Sequence, residues 1–286
     1  MPELPEVEVV RRGLDAHVVG STFGAVEVLH PRVVRGNDVD LAEVLPGLRI
    51  TGTDRRGKFL WLTLSDYAAL LIHLRMSGQM LVSEPGLVDS PHLRIRAQLT
   101  GPDGIKELAF VDQRTFGSWQ YVPLAEPSSG PSHNRPVPAA IPHIAADPFE
   151  PDFDTVAVAR RMRTKNVAVK TILLDQSVVS GIGSIYADEA MWAARVKPTR
   201  KGRALRQRDA VALLEESRAV MARALEAGGT SFDSLYVNVN GASGYFSRSL
   251  NAYGQAGKPC ARCGAPIEKT VVNGRSSYFC PVCQTL

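Results

Sequence analysis

The four cysteines of this 286-residue chain constrain its fold more than any other feature. They form two pairs, Cys260-x2-Cys263 and Cys280-x2-Cys283, which are separated by sixteen residues and confined to the last 27 positions. Two such pairs can hold one tetrahedral Zn²⁺ in a ribbon. Two disulfides are the alternative, which a reducing cytosol disfavours. Because four cysteines leave no open coordination position, we predict one structural zinc ion rather than a catalytic one.

The segment between the cysteine pairs, residues 271–279, has the pattern of a β-hairpin. Asn273-Gly274 is a preferred two-residue turn, because both positions tolerate positive φ. Arg275 would then lie at the tip of the hairpin, where a cation can reach into a groove. Since many zinc ribbons only stabilise a small fold, this segment alone does not identify a partner.

Charge is distributed unevenly along the chain. Residues 1–150 hold 14 Lys and Arg against 18 Asp and Glu, or −4, whereas residues 151–286 hold 19 against 11, or +8. A basic half is typical of proteins that bind a polyanion, although it can also be a solvated surface. Together with the ribbon, it favours DNA or RNA as the partner.

Short apolar or alternating runs dominate the first half of the chain. They occupy residues 26–29, 59–64, 69–74, 93–97 and 107–111. Turn residues such as Gly57, Gly78 and Gly117 separate them. Regular short strands of this kind predict an antiparallel sandwich or barrel.

The second half has a helical pattern. Residues 127–142 contain five Pro and three Ser, which predicts an extended linker. Helices are predicted at about 154–164, 168–175, 184–195 and 206–227. We therefore predict an α+β multidomain fold with an N-terminal helix. Its parts are a β-sandwich domain at 1–130, a linker at 131–150, a helical domain at 151–250 and a zinc finger at 251–286.

The sequence has no features of a secretory signal or a membrane anchor. Its N-terminus is acidic rather than basic and apolar. No apolar run approaches the ~18–20 residues that a membrane helix needs. We therefore expect a cytosolic protein with no membrane partner. We also expect it to be a monomer.

Residues 2–8 read Pro-Glu-Leu-Pro-Glu-Val-Glu, directly behind Met1. Removal of Met1, the usual outcome before proline, would leave Pro2 as a terminal secondary amine. An α-amino group titrates near pH ~7.7–8.0, against ~10.4 for Lys, so far more of it is unprotonated at neutral pH. Attack on a carbonyl carbon gives an iminium ion, which is an electron sink. Pro2 is therefore a candidate nucleophile.

Two carboxylates accompany this terminus. Apolar residues recur at helical spacing from Val7 onward and predict a helix over about residues 3–18. Glu3 and Glu6 then share a face beside Pro2. One could act as a general acid while the other holds the amine. Alternatively, the acidic residues only suit the dipole at a helix N-terminus.

Residues 180–184, Ser-Gly-Ile-Gly-Ser, lie between two predicted helices. Two glycines permit a tight turn that exposes backbone N–H groups. The N-terminus of the following helix adds a partial positive charge, which favours a phosphate. Lys170, one helix earlier, could reach the same phosphate. An ordinary helix–helix turn is the alternative.

With these parts assembled, the chain resembles the bacterial formamidopyrimidine-DNA glycosylase family, which are bifunctional base-excision enzymes for oxidised purines. The resemblance spans nearly the whole length. It is carried by residues 2–8, Gly57-Lys58, His73-Leu-Arg-Met-Ser-Gly78, Asp112-Gln-Arg-Thr-Phe-Gly117, Gly181-Ile-Gly-Ser-Ile-Tyr-Ala-Asp-Glu189 and the zinc ribbon. It implies a β-sandwich joined to a helix–two-turn–helix domain with a zinc finger. It also implies a nucleoid-associated protein that acts on double-stranded DNA containing oxidised purines or abasic sites.

The resemblance implies roles for individual residues. Pro2 corresponds to the amine that attacks the deoxyribose C1′. Glu3, supported by Glu6, corresponds to the acid that assists ring opening and proton transfer. Lys58 is similar to a lysine near the lesion phosphates that is credited with proton transfer in β-elimination, and Arg275 to a finger arginine credited with a part in δ-elimination.

Met76, Arg114 and Phe116 match the trio that fills the space left by an everted nucleotide in this family. Eversion leaves unpaired and unstacked neighbours, which costs a few kcal/mol. An apolar wedge restores contacts, and an arginine can hydrogen-bond the orphaned cytosine. His92 and Lys165 fall where the family has phosphate contacts. Without the resemblance, Met76 and Phe116 would be assigned to the core.

Two departures from the family pattern concern binding rather than reaction type. Ser184 stands where the family usually has Asn, so a shorter side chain is left to hold the phosphate beside the lesion. Residues 231–241, where the family carries its lesion-capping loop, differ from the commonest version. The sequence therefore constrains base preference less than it constrains the chemistry.

Two rival functions are open at this point. An endonuclease VIII-type enzyme would apply the same chemistry to oxidised pyrimidines, but Leu4 in place of Gly and the void-filling trio argue against it. A non-catalytic zinc-ribbon protein that binds DNA lesions would not need the amine, the acid and Lys58 together.

Overall fold

The structure is a computed structural model that describes residues 2–125, 135–229 and 249–285. The described chain forms two compact units. The first comprises the described residues up to Pro142 together with Gly228 and Gly229, and the second comprises 143–227 and 249–285. The helical segment and the zinc ribbon therefore share one unit, and residues 135–142 of the expected linker belong to the first. Residues 143–150 of that linker belong to the second unit. Residues 131–134, and the expected capping segment 231–241, lie outside the described residues.

The first unit is an antiparallel sandwich with a helix at its start. Its helices are α1 (Leu4–Val18) and the short α2 (Leu41–Val44). Its strands are β1 (Thr22–Val28), β2 (Ile50–Arg56), β3 (Phe59–Leu64), β4 (Ala68–His73), β5 (Gly78–Ser83), β6 (Leu93–Gly101), β7 (Gly104–Asp112), β8 (Ser118–Ala125) and β9 (Val137–Pro138). One sheet has the order β1-β6-β7-β5 and the other β2-β3-β4-β8-β9.

Helix α1 and both sheets contribute to a single apolar core. Leu14 of the helix, Phe110 of the first sheet and Trp119 of the second are fully buried in it. Strand β6 shows why the chain folds this way, because its apolar residues alternate with polar ones and one face can pack inward. Each fully buried side chain of this size contributes ~1.5–3 kcal/mol. The predicted sandwich with an N-terminal helix is confirmed.

The second unit contains four helices and a hairpin. The helices are α3 (Thr155–Thr164), α4 (Val169–Leu174), α5 (Ser184–Ala193) and α6 (Gln207–Glu226), and the strands are β10 (Glu268–Val272) and β11 (Arg275–Phe279). Asp154 caps α3, since its carboxylate accepts the Ala157 N–H at 2.9 Å. Asn273 and Gly274 have φ of 47° and 73°, as the predicted hairpin turn requires.

In the ranges that the structure describes, none of the helices combines the length and apolarity needed to span a bilayer.

Candidate active site and nucleic-acid interface

The start of α1 brings two buried carboxylates together directly behind Pro2. Glu3 is the N-cap, and its N–H donates to Glu6 Oε2 at 2.8 Å. The two residues form a reciprocal capping box, so each satisfies a donor that the helix start leaves open. Pro2, Glu3 and Glu6 are all buried. The capping box therefore explains why the two carboxylates lie at the start of α1, close to Pro2.

Glu8, which the sequence reading did not single out, anchors this helix. Its carboxylate accepts two hydrogen bonds from Arg11 at 2.9 Å, and Arg55 Nε lies 3.1 Å from Glu8 Oε2. Burial favours a raised pKa for Glu8, but hydrogen bonds and charge from Arg11, Arg55 and Arg12 outweigh it and lower the pKa to about 2. Glu8 therefore stays ionised and fixes α1 against β2.

Lys58 lies in the two-residue turn that joins β2 to β3. Gly57 has a φ of 56°, whereas Lys58 has no positive φ, which is the pattern of a type II′ turn. The side chain of Arg55, which also holds Glu8, donates to the Gly57 carbonyl at 3.4 Å. The buried Lys58 is thus tied through one arginine to the helix that carries Pro2.

His73, at the end of β4, is a buried neutral imidazole. Burial, together with the charges of Arg75 and Lys58, lowers the pKa of His73 to about 3. Its Nδ1 accepts the Arg75 N–H at 2.9 Å, and the Phe59 ring packs edge-on at 4.4 Å between centroids. The histidine therefore shapes the turn that leads to Met76.

Met76, Arg114 and Phe116 all lie on the surface rather than in the core. Met76 is 42% exposed, Phe116 is 39% exposed, and Arg114 is also exposed. Arg114 Nη1 lies 3.5 Å from Met76 Sδ, although the two residues come from different turns. Two exposed apolar side chains beside an arginine are the composition expected of a DNA wedge.

Asp112 organises both of these turns. Its buried carboxylate accepts the Ser77 hydroxyl at 2.5 Å and the Arg114 N–H at 3.1 Å through Oδ1. Through Oδ2 it accepts the N–H groups of Phe116 at 2.8 Å and Gly117 at 2.7 Å. One fully buried carboxylate therefore sets the position of residues 113–117 and of the turn that follows Met76.

His92 adjoins the same turn from the start of β6. Its carbonyl accepts the Asp112 N–H at 2.8 Å. Arg94 Nε donates to the Asp112 carbonyl at 2.9 Å, and Arg94 Nη2 lies 3.3 Å from His92 Nδ1. The structure thus brings half-buried His92 next to the turn that carries Arg114 and Phe116.

The glycine turn of the second unit leads into α5 as predicted. Gly181 has a φ of 89° and its N–H donates to Gln176 Oε1 at 2.9 Å. Helix α5 begins at Ser184, which is half-buried. Lys165 ends α3, where its Nζ lies 3.3 Å from Asp175 Oδ2 and the side chain is partly exposed. Both residues remain candidates for phosphate contacts.

Lys170 has a different environment from the one expected of a phosphate contact. Its side chain is fully buried, and its Nζ donates to Asp188 Oδ1 at 2.8 Å and to the Ser276 carbonyl at 2.5 Å. Burial raises the pKa of Asp188 to about 6, while Lys170 and hydrogen bonds from the hairpin oppose the shift. Lys170 therefore joins α4 and α5 to the hairpin, and we withdraw it as a phosphate contact.

The four cysteines fit a structural zinc ion. Their Sγ atoms all lie within 4.8 Å of one another, and all four residues are free of disulfides. Zn–S bonds of ~2.3 Å in a tetrahedron place sulfurs about 3.8 Å apart, and the Cys263 and Cys280 sulfurs are 3.5 Å apart. Trp192 Nε1 donates to Cys260 Sγ at 3.4 Å, which supports the donor set from outside.

Arg275 is exposed at the first position of β11. The hairpin that carries it is held from beneath by Asp188, which accepts the Ser277 hydroxyl at 2.7 Å and the Tyr278 N–H at 3.0 Å. The guanidinium is therefore presented by a fixed hairpin, as predicted.

A zinc ribbon in a helical unit that carries the chain's excess of positive charge is a combination typical of proteins that bind nucleic acid. The first unit adds a feature that binding alone does not require, namely a buried carboxylate pair at the chain start. The fold and the site therefore define the class as a zinc-ribbon protein that binds nucleic acid and that carries a buried carboxylate pair beside Pro2.

Comparison with known proteins identifies the family within this class. Residues 1–119 match the N-terminal domain of formamidopyrimidine-DNA glycosylase, residues 144–235 match its H2TH domain, and residues 257–286 match a zinc finger found in FPG and IleRS. The chain is 57% identical to formamidopyrimidine-DNA glycosylase of Corynebacterium urealyticum, with all of both chains covered. It is 53% identical to that of Mycolicibacterium smegmatis, covering 99% of this chain and 97% of the relative.

Solved structures agree with this match. The Lactococcus lactis Fpg in complex with DNA containing an abasic site has a TM-score of 0.86 at 31% identity, covering 99% of this chain and all of that one. The complex of the same protein with DNA containing Fapy-dG has a TM-score of 0.84 with the same identity and coverage. The chain belongs to the formamidopyrimidine-DNA glycosylase family.

Proposed function

We propose that this protein is a bifunctional DNA glycosylase and abasic-site lyase that excises oxidised purines, such as 8-oxoguanine and formamidopyrimidines, from duplex DNA. Family membership along the whole chain supports the reaction class. The observation that carries the mechanism is the buried Glu3–Glu6 pair directly behind Pro2. A nucleophilic amine needs an acid within reach of its substrate, and the capping box supplies one.

Base removal begins with the Pro2 amine, once Met1 is removed. The nitrogen lone pair forms a bond to C1′ of the damaged nucleotide, and the C1′–base bond breaks with its electron pair leaving on the base, which takes up a proton. Glu3 then donates a proton to O4′ as the C1′–O4′ bond opens. The nitrogen, which has lost its own proton, becomes an iminium centre.

The iminium ion drives strand cleavage. Loss of a proton from C2′ sends its electron pair towards the cation, and the 3′-phosphate leaves in β-elimination. A second elimination then releases the 5′-phosphate. We propose Lys58 for proton transfer in the first elimination and Arg275 for a part in the second. A one-nucleotide gap results.

The wedge residues hold the DNA open during this chemistry. Met76 and Phe116 would fill the stack that the everted nucleotide leaves, and Arg114 would hydrogen-bond the orphaned cytosine. His92, Lys165 and Ser184 would contact phosphates. The zinc ion supplies no reaction step; its cysteines would fix the hairpin that carries Arg275.

Covalent trapping with borohydride tests the mechanism. Borohydride should reduce the iminium ion and leave the protein attached to duplex DNA that carries 8-oxoguanine opposite cytosine. Pro2→Gly, which keeps a terminal amine but only a primary one, is the control for folding. Absence of an adduct with the wild-type protein, while the control is folded, would overturn the mechanism.

Two further measurements separate the rival functions. A cleavage panel of defined lesions should show excision of oxidised purines; preferential cleavage at oxidised pyrimidines would indicate an endonuclease VIII-type enzyme. Intact-mass measurement should show loss of Met1. Retention of Met1 with lesion binding intact would instead support a non-catalytic binding protein.

We also propose that the protein is a monomer. We propose that it associates with the nucleoid, because its proposed substrate is double-stranded DNA. Light scattering at working concentration should give a single-chain mass. A fluorescent fusion at the C-terminus should coincide with the DNA stain, and a uniform cytoplasmic signal would contradict the location.

A further inference from the structure

The segment that joins α5 to α6, taken with the first two residues of α6, is the most strongly charged part of the chain. Residues 195–208, here named the basic loop, contain seven Lys and Arg and no Asp or Glu. The seven are Arg195, Lys197, Arg200, Lys201, Arg203, Arg206 and Arg208. All of them are exposed except Arg200, which is half-buried. Half of a fourteen-residue segment is therefore cationic and faces solvent.

Little within the described part of the protein neutralises this charge. Arg208 lies 3.5 Å from Asp209 Oδ1, and this is the one ion pair that the basic loop makes among the described residues. Arg200 Nη2 donates to the Ala204 carbonyl at 2.7 Å, and Lys197 Nζ lies 5.9 Å from the Phe279 ring centroid. Like charges this close repel one another, so an anionic partner would relieve the repulsion.

Backbone hydrogen bonds join the basic loop to the end of α3. The Arg203 N–H donates to the Lys165 carbonyl at 3.0 Å, and the Gly202 N–H donates to the Val167 carbonyl at 3.0 Å. The Arg200 carbonyl in turn accepts the Val169 N–H at 2.7 Å. The backbone of the basic loop is therefore fixed against the end of α3. Its cationic side chains lie on backbone that is hydrogen-bonded to residues 165–169, where Lys165 is located.

We infer that the basic loop binds phosphates of the DNA duplex that flanks the lesion, as an extension of the contact proposed for Lys165. This inference rests on the proposed function, because it takes duplex DNA as the partner. The loop contacts backbone charge rather than base edges, so it adds affinity that is independent of sequence and sensitive to salt. Because the loop extends the contact proposed for Lys165, its contribution should grow as the duplex is lengthened.

Removal of three charges tests the loop. Lys201, Arg203 and Arg206 are each replaced by Gln in the full zinc-bound protein, and affinity is measured against salt concentration on two abasic-site duplexes. One duplex is confined to the lesion, and the other is longer by about one helical turn (~10 base pairs) on each side. The measured quantity is the slope of log affinity against log salt concentration. On the longer duplex, the magnitude of this slope should fall by about 0.9 for each phosphate that the variant no longer neutralises. On the short duplex it should barely change.

A variant with matched charge controls for net charge. Arg49, Arg218 and Arg223 are exposed and lie outside the basic loop, so their replacement by Gln removes the same charge and should leave the slope close to that of wild type. A loop variant with the wild-type slope, or a control whose slope falls equally, overturns the inference. Borohydride trapping on the short duplex is independent of the loop, so its failure in the wild-type protein would count against the proposed function instead.

Discussion

At the scale of single residues, the wedge depends on a side chain that never touches DNA in the proposed mechanism. Met76, Arg114 and Phe116 could be named from sequence because they lie in recognisable motifs. The role of Asp112 could not, because its partner Ser77 is 35 residues away and the bond forms only in the folded sandwich. The link from Glu8 to Arg55 could not be predicted for the same reason, since the two residues lie 47 apart in the sequence.

Replacing Asp112 by Asn should weaken both the fold and the wedge. The amide offers fewer acceptor sites than the carboxylate, and a buried donor left without a partner costs ~1–3 kcal/mol. We expect the free energy of unfolding in urea to fall by about that amount. Excision from duplex DNA should fall more than lyase activity on single-stranded abasic DNA, which needs no wedge.

The control for this variant is Glu107→Gln, which alters another buried acid of the same sandwich. It should reduce both activities equally, if at all. An equal loss of the two activities in Asp112→Asn would show that the carboxylate supports the fold only.

His73 should make the first unit sensitive to acid. Its pKa in the folded state, about 3, lies below the ordinary ~6.5. Between about pH 6.5 and pH 3, the His73 imidazole is protonated in the unfolded chain but neutral in the folded chain. The free energy of unfolding therefore falls as pH drops through this range. His73→Asn should lose less stability than the wild type between about pH 7 and pH 4. Urea unfolding followed by tryptophan fluorescence measures this difference.

His17→Asn, at an exposed position of α1, is the matched control and should unfold with the wild-type pH dependence. If His73→Asn also does so, the imidazole is not the acid-sensitive group.

At the scale of elements, the helices were easier to predict than the strands. All four helices of the second unit fall within two residues of their predicted bounds, because their apolar spacing and end signals are local. Strand β2 was missed because Thr-Gly-Thr-Asp-Arg-Arg has no apolar alternation, and β8 because it contains Pro123. Both segments form strands because they pair with buried neighbouring strands, which outweighs their low intrinsic β-propensity. This pairing cannot be predicted from the sequence of one segment alone.

The hairpin of the ribbon should depend on Lys170. Lys170→Met leaves the Asp188 carboxylate buried without its ion partner, which costs ~3–5 kcal/mol. We expect lower thermal stability and faster amide exchange over residues 275–279. Lys165→Met breaks an exposed pair and should cost less than ~1 kcal/mol. A Lys170→Met protein of unchanged stability that loses DNA affinity would restore the phosphate interpretation.

At the scale of the whole molecule, charge and metal are concentrated towards one end of the sequence. Native mass spectrometry should find one zinc per chain, and Cys263→Ser should lose it because the remaining thiolates no longer complete a tetrahedron. The zinc-free variant should bind duplex DNA more weakly. It should still form the borohydride adduct on single-stranded abasic DNA, since Pro2 and its carboxylates lie in the first unit.

A fully loaded Cys263→Ser protein would contradict the four-cysteine site. Loss of the adduct together with the zinc would show that the ribbon has a part in the chemistry and not only in binding.

The carboxylate of Asp112 also determines at which stage the backbone of residues 113–117 loses its conformational entropy. Fixing the backbone of one residue costs ~1–2 kcal/mol. Because a buried group of the fold itself holds residues 113–117, that cost falls on folding and is not repeated at each encounter with DNA. In the proposed mechanism a passing duplex therefore meets a stiff probe, and the ordering of residues 113–117 adds no free-energy cost to each encounter.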